Sequence, residues 1–270
     1  STVEYHKNYS MELYGVCDSL VYEMRNECWG RFTESSVSNA LNLWDTLAWP
    51  CDGSTVSNPE LVDFDFDPRD VDIISPDERA RHVGSTILPF DNNGDAIIDL
   101  LLGDVSYNNM VYTENYGTVV NSNSGMGLQD PNFPSNTTPI NVSIFPAGFY
   151  VDIDMDGKRE LVVSPNSSAN SVDMESVWHY QNTGTDEDPT FVYSQTDLLQ
   201  KDMIDNGVGA YPVFFDHDGD GLKDLIVGNS YYYNTTDQAN YSRLAYYKNT
   251  GTVFQAYLKR SYNDLEKLMD

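Results

Sequence analysis

Basic side chains are scarce in this 270-residue chain: 15 lysines and arginines stand against 42 aspartates and glutamates, for a formal net charge of −27. A nucleic-acid binder must present cations to phosphates, and an anionic membrane surface asks for the same, so the balance argues against both partners. No apolar run approaches the ~18 residues needed for a bilayer-spanning helix. The sequence opens at Ser1 with no signal peptide and reads as a mature or excised piece. Cysteine is equally sparse. Cys17, Cys28 and Cys51 allow one internal disulfide, expected as Cys17–Cys28 in an oxidising compartment, and no Cys-x-x-Cys pair or clustered histidine suggests zinc. Gly-x-Ser-x-Gly, His-Glu-x-x-His and phosphate-loop signatures are all missing, so no catalytic residue is nominated.

What is abundant is Asp, and it recurs in register. Three segments align: Phe90-Asp-Asn-Asn-Gly-Asp-Ala-Ile-Ile-Asp-Leu-Leu-Leu-Gly, Val151-Asp-Ile-Asp-Met-Asp-Gly-Lys-Arg-Glu-Leu-Val-Val-Ser and Phe215-Asp-His-Asp-Gly-Asp-Gly-Leu-Lys-Asp-Leu-Ile-Val-Gly. Their first acids lie 61 and 64 residues apart. A second landmark, an aromatic residue followed by Asn-x-Gly-Thr, places Asn115, Asn182 and Asn249 at intervals of 67. Two landmarks that keep nearly one period define a repeat unit.

The repeated motif has the chemistry of a hard-cation loop. Side-chain oxygens at positions 1, 3, 5 and 9, with the backbone carbonyl of position 7, suit Ca²⁺, which takes 6–8 oxygens at about 2.3–2.6 Å. Glycine at position 6 permits a sharp turn. The expected ligands are Asp91, Asn93, Asp95, the Ile97 carbonyl and Asp99 in the first loop, and Asp152, Asp154, Asp156, the Lys158 carbonyl and Glu160 in the second. In the third they are Asp216, Asp218, Asp220, the Leu222 carbonyl and Asp224. Asn93 offers no charge and Ala96 fills the glycine slot, at an order of ~1 kcal/mol if that slot needs positive φ, so the first loop is expected to bind most weakly. An EF-hand is excluded, since it needs Glu at position 12 and flanking helices, and position 12 here is Leu102, Val163 or Val227.

Short β-branched segments flank each loop, which puts the loop at the tip of a hairpin. The segments at Trp178 and Tyr246 add a third strand, and Thr190-Phe-Val-Tyr a fourth. A unit of this length with four antiparallel strands reads as a β-propeller blade. The expected fold is therefore all-β, with three blades over residues 80–270. Residues 1–79 form a divergent blade or an insertion, where Asp63-Phe-Asp-Phe-Asp-Pro reads as an edge strand with outward acids. His217 reads as a solvent-facing filler of the third loop. Trp178, Tyr231, Tyr232, Tyr233, Tyr246 and Tyr247 read as core aromatics in preference to a sugar-stacking surface.

On these residues the chain resembles the FG-GAP/VCBS repeat family, which includes the integrin α-subunit propeller. The element Tyr-x-Asn-Thr-Gly-Thr and the phrase Arg81-His-Val-Gly-Ser-Thr-Ile-Leu-Pro-Phe are similar to secreted, type IX-sorted surface repeat proteins of Bacteroidetes. The resemblance implies a seven-bladed propeller with structural calcium at about three loops here. Seven such blades need about 450 residues, so this chain is expected to be a fragment. The implied role is a secreted or cell-surface adhesion module for a protein or glycan ligand, with self-association as a further expectation. A propeller polysaccharide lyase or hydrolase, and a structural subunit of an extracellular fibre, are the alternatives.

Overall fold

The computed structural model describes residues 3–35, 38–43, 84–120, 125–167, 171–172, 174–234 and 236–262. The segment Asp63–Asp67, His82, Cys51 and most of the turn-rich stretch before the first repeat lie outside them. The described chain is all-β with one short helix, and its strands form six antiparallel sheets, three of four strands and three of two.

The three large sheets coincide with the three sequence repeats. The first is a meander of β5 (Ser85–Phe90), β6 (Asp99–Asp104), β7 (Met110–Asn115) and β8 (Met126–Asp130). The second runs β9 (Pro146–Val151), β10 (Glu160–Pro165), β11 (Trp178–Asn182) and β12 (Phe191–Gln195). The third comprises β13 (Tyr211–Phe215), β14 (Asp224–Gly228), β17 (Leu244–Asn249) and β18 (Leu258–Tyr262). Between its second and third strands it carries an inserted hairpin, β15 (Tyr232–Asn234) with β16 (Ala239–Tyr241). Register repeats as faithfully as sequence: Phe90 pairs with Asp99, Val151 with Glu160 and Phe215 with Asp224, so each acidic loop closes the same hairpin.

The first two sheets pack face to face. Phe90, Leu101, Met110 and Tyr112 of the first bury against Leu161, Val163, Tyr180 and Phe191 of the second, with Phe133, Ile140 and Val142 of the connecting segment closing the layer. The alternation of the strands dictates this, because every second residue of β5, β6, β9 and β10 points into one interface. The Phe90 ring lies 5.6 Å from Tyr150, 6.1 Å from Phe191 and 6.3 Å from Phe133, centroid to centroid. Backbones approach closely at one edge. Thr86 Oγ1 donates to the Pro146 carbonyl at 2.5 Å. A β-carbon on Gly103 would lie 2.0 Å from that same oxygen, so only glycine fits there.

The opposite face of the first sheet is also covered. Leu100, Leu102, Val111 and Met126 pack against Phe32 and Leu41, with Leu43 beside them. Phe32, Leu41 and Leu43 come from a hairpin of β3 (Phe32–Glu34) and β4 (Leu41–Leu43). Gln129 of β8 ties it down by accepting from the Leu41 N–H and donating to the Leu41 carbonyl, both at 2.9 Å. A second hairpin, β1 (Val3–Asn8) with β2 (Tyr22–Trp29), precedes it and encloses helix α1 (Ser10–Tyr14).

The expected Cys17–Cys28 bridge does not form. Cys17 follows the left-handed Gly15 that ends α1, and its exposed free thiol turns back onto Met11, with Sγ 3.1 Å from Sδ. Cys28 is buried in β2 and disulfide-bonded.

In the third sheet, Leu225, Val227, Ala245 and Tyr247 form a separate small core with Leu258. Every residue of β13 is exposed. On the second sheet Phe149 and Val151, which point away from the first, are exposed too. This difference in covering predicts a difference in mutational cost. Leu101→Ala removes a fully buried side chain from the two-sheet layer and is expected to cost about 3 kcal/mol, whereas Val213→Ala on β13 is expected to cost under about 0.5 kcal/mol. Urea unfolding of the two variants checks it, and equal losses would contradict the layering.

Candidate metal centre

Each acidic loop is built by its own carboxylates acting on its own backbone. The first acid reaches across the turn to accept the N–H of position 6: Asp91 from Ala96 at 2.7 Å, Asp152 from Gly157 at 3.1 Å and Asp216 from Gly221 at 2.9 Å. The acid at position 5 accepts the N–H two residues on: Asp95 from Ile97, Asp156 from Lys158 and Asp220 from Leu222, at 2.8–2.9 Å. These are Asx turns, for which Asp is suited by its short side chain. They explain why Asp or Asn, and not Glu, fills positions 1, 3 and 5.

Two residues of each loop are left-handed. Position 6, expected from the sequence to want glycine, has φ +65° at Ala96, +92° at Gly157 and +83° at Gly221. Position 4 has φ +77° at Gly94, +62° at Met155 and +75° at Gly219, a requirement the motif did not announce. The third loop therefore meets both demands with glycine, while the first and second each hold one strained residue.

The acid at position 9 begins the second strand and is buried in all three repeats: Asp99, Glu160 and Asp224. Two of them share one set of donors. Asp99 accepts from the N–H groups of Asn92 (3.2 Å) and Asn115 (2.8 Å) and from the Tyr112 hydroxyl (2.7 Å). Asp224 accepts from His217 (3.2 Å), Asn249 (2.8 Å) and the Tyr246 hydroxyl (2.9 Å). In the second repeat the tyrosine is replaced by His179 and the aspartate by the longer Glu160, which accepts from the Ile153 N–H at 2.8 Å. A shorter ring faces a longer acid there, and His179 Nε2 is shut from water without a hydrogen-bond partner.

The repeated asparagine braces the first and third loops from behind, whereas in the second repeat Asn182 Nδ2 donates to the Thr185 carbonyl of its own turn. Asn115 and Asn249 donate from Nδ2 to the carbonyl just before the position-9 acid, Ile98 at 3.0 Å and Lys223 at 3.1 Å. Their Oδ1 atoms accept from Gly117 and Gly251, as Asn182 does from Gly184. In the first and third repeats the Asn-x-Gly-Thr landmark is thus a structural support of the acidic motif.

The loops differ in what they bring together. Asp152, Asp154, Asp156 and Glu160 place one ligand atom each within 4.8 Å of one another, and Asp216, Asp218 and Asp224 do the same. Among the described residues the first loop gathers no such group. These two acidic clusters could hold a metal ion. Asp220 stands outside the third-loop group, with Oδ2 3.7 Å from Lys248 Nζ. Ile97, Lys158 and Leu222 occupy equivalent seventh positions. Arg159 clamps the second loop to the following turn, pairing through Nε and Nη2 with both oxygens of Asp186 at 2.8 and 2.7 Å.

Burial and hydrogen bonds set the electrostatics. Burial in the two-sheet layer pushes the Asp99 carboxyl up to about 6, against the opposing pull of its three donors. Asp224 is opposed by burial in the same way, but the donors win and hold it below the usual carboxylate range. His217 is exposed, with its ring against Tyr246 (4.9 Å) and Phe215 (5.7 Å). Tyr246 and Tyr247 are buried and Trp178 packs on the two-sheet core, whereas Tyr231, Tyr232 and Tyr233 are half-buried around the inserted hairpin. Arg243 lies 4.2 Å over the Tyr232 ring.

Compared with protein-family models, curated proteins and solved structures, the chain matches none.

Ala96→Gly relieves a left-handed alanine and is expected to stabilise the cation-free protein by about 1 kcal/mol in chemical denaturation; a loss would contradict the strain assignment. For Asp99, a folded pKa above its unfolded value means a contribution present at acid pH and lost as pH rises through about 6. A carbon-13 titration in chelator should place the Asp99 carboxyl midpoint near 6 and that of Asp224 below the ordinary aspartate value. Coincident midpoints would contradict the difference in burial.

Proposed function

We propose that this chain is part of a calcium-stabilised β-propeller of the FG-GAP/VCBS type, serving as a secreted or cell-surface binding module, with calcium in a structural role. The observation that carries the reading is the second loop, where four carboxylates converge within 4.8 Å at a hairpin tip. Such a group repels itself strongly unless a cation sits among it. All-oxygen donors select a hard ion, and calcium's tolerance of 6–8 ligands suits a loop that also offers a backbone carbonyl, whereas magnesium demands near-octahedral geometry and keeps its waters.

The propeller is supported by three tandem four-stranded antiparallel sheets, each closing the same loop at the same hairpin, two of them stacked face to face. An extracellular setting is supported by the disulfide at Cys28 and by the acidic surface, since disulfides persist in oxidising compartments. A protein or glycan ligand is the partner class proposed for such a module. No helix among the described residues is long and apolar enough to cross a membrane.

Calcium that binds only the folded chain stabilises it by about 2.7 kcal/mol per site at a hundredfold excess over Kd, which is a rise in Tm of roughly 5–10 °C for one site. Thermal unfolding in millimolar calcium and in chelator is expected to show at least that difference, and Asp152→Asn to reduce it. A Tm indifferent to chelation would overturn the proposal.

A further inference from the structure

In the first and third repeats the residue just before the repeated asparagine reaches from the third strand to the third position of the acidic loop. In the first repeat Glu114 Oε1 accepts from Asn93 Nδ2 at 3.3 Å. In the third, Lys248 Nζ donates to Asp218 Oδ2 and lies 3.7 Å from Asp220 Oδ2. By the 67-residue period the same place in the second repeat belongs to Gln181. One strand position therefore carries an anion, a neutral amide and a cation beside three otherwise similar loops.

We infer that Lys248 is a tethered cation of the third loop: its ammonium holds Asp218 and Asp220 together when no metal is bound, and a divalent ion must displace it. This rests on the reading of the loops as calcium sites and adds that they are not equivalent. Among the described residues the second loop, whose equivalent strand position is the neutral Gln181, has no such occupant, and it depends on metal. The third is partly neutralised from within, keeps its shape without metal and fills at higher calcium. The ammonium already sits where the carboxylates crowd, so it competes for the same oxygens that a divalent ion would use, and Asp220 is drawn toward it and out of the cluster formed by Asp216, Asp218 and Asp224.

The test is a calcium titration of the whole chain followed by amide NMR, reading Gly157 for the second loop and Gly219 and Gly221 for the third. Lys248→Gln installs the residue of the second repeat. It is expected to lower the calcium midpoint at Gly219 and Gly221 about ten-fold, as removal of one positive charge within about 4 Å of a divalent ion should, and to leave Gly157 unmoved. Lys248→Arg keeps the charge and should leave all three midpoints in place. Gln181→Lys is the reciprocal arm, independent of how Lys248 variants fold, and should raise the Gly157 midpoint by a similar factor. Third-loop midpoints in Lys248→Gln within about two-fold of the parent, or a Gly157 midpoint that Gln181→Lys leaves in place, overturn the inference while leaving calcium binding intact. A parent protein in which none of these amides responds to calcium overturns the calcium reading itself.

Discussion

Repulsion among carboxylates crowded at hairpin tips is the constraint around which each repeat is arranged. The first acid of every loop folds back to accept the N–H of position 6; in the second loop Asp152, Asp154, Asp156 and Glu160 then converge within 4.8 Å, and in the third Asp216, Asp218 and Asp224. The position-9 acid is then buried at the start of the second strand, where it cannot retreat into water. A loop so built has three means of relief: protonation, an internal cation, or a bound one. The chain displays the second at Lys248; at Asp99 it is burial, more than its acidic neighbours, that pushes the carboxyl up to about 6. Among the described residues the second loop has the arginine clamp at its flank, where Arg159 is engaged with Asp186 and not with the four converging acids.

The strands supply what the loops need. Pairing of Phe90 with Asp99, and of its counterparts in the other repeats, fixes the distance between the two ends of each loop. In the first and third repeats the asparagine at the end of the third strand then ties the loop to the rest of the sheet through both its amide and its carbonyl. Packing of the first sheet on the second through Phe90, Leu101, Tyr112, Leu161 and Tyr180 holds two of these assemblies in a fixed relation. The aromatic at the end of β5 thus serves the interface, while the acid after it serves the loop.

Much of this was legible in the sequence because it repeats. The flanking strands, the fourth strand at Phe191 and the hairpin position of each loop follow from period-2 apolar runs beside a recurring acidic motif, and β5 begins and ends where the pattern places it. Position 6 asks for glycine in a single sequence only because two of three copies have it. Position 4 escaped notice because Gly94, Met155 and Gly219 agree less well, although the backbone demands the same left-handed turn of all three. Lys248 and Glu114 were invisible as site residues because the period alone does not say which way a strand residue points. The cysteine pairing failed for a related reason: spacing does not show burial, and Cys17 lies exposed just after helix α1 while Cys28 is buried within β2.

The account stands or falls on a cation at the second loop. A crystal structure grown in millimolar calcium is the most direct measurement. It should show one ion bound by oxygens of Asp152, Asp154, Asp156 and Glu160 at about 2.3–2.6 Å, completed by the Lys158 carbonyl and water. Four carboxylates splayed apart around ordered water at saturating calcium would contradict it.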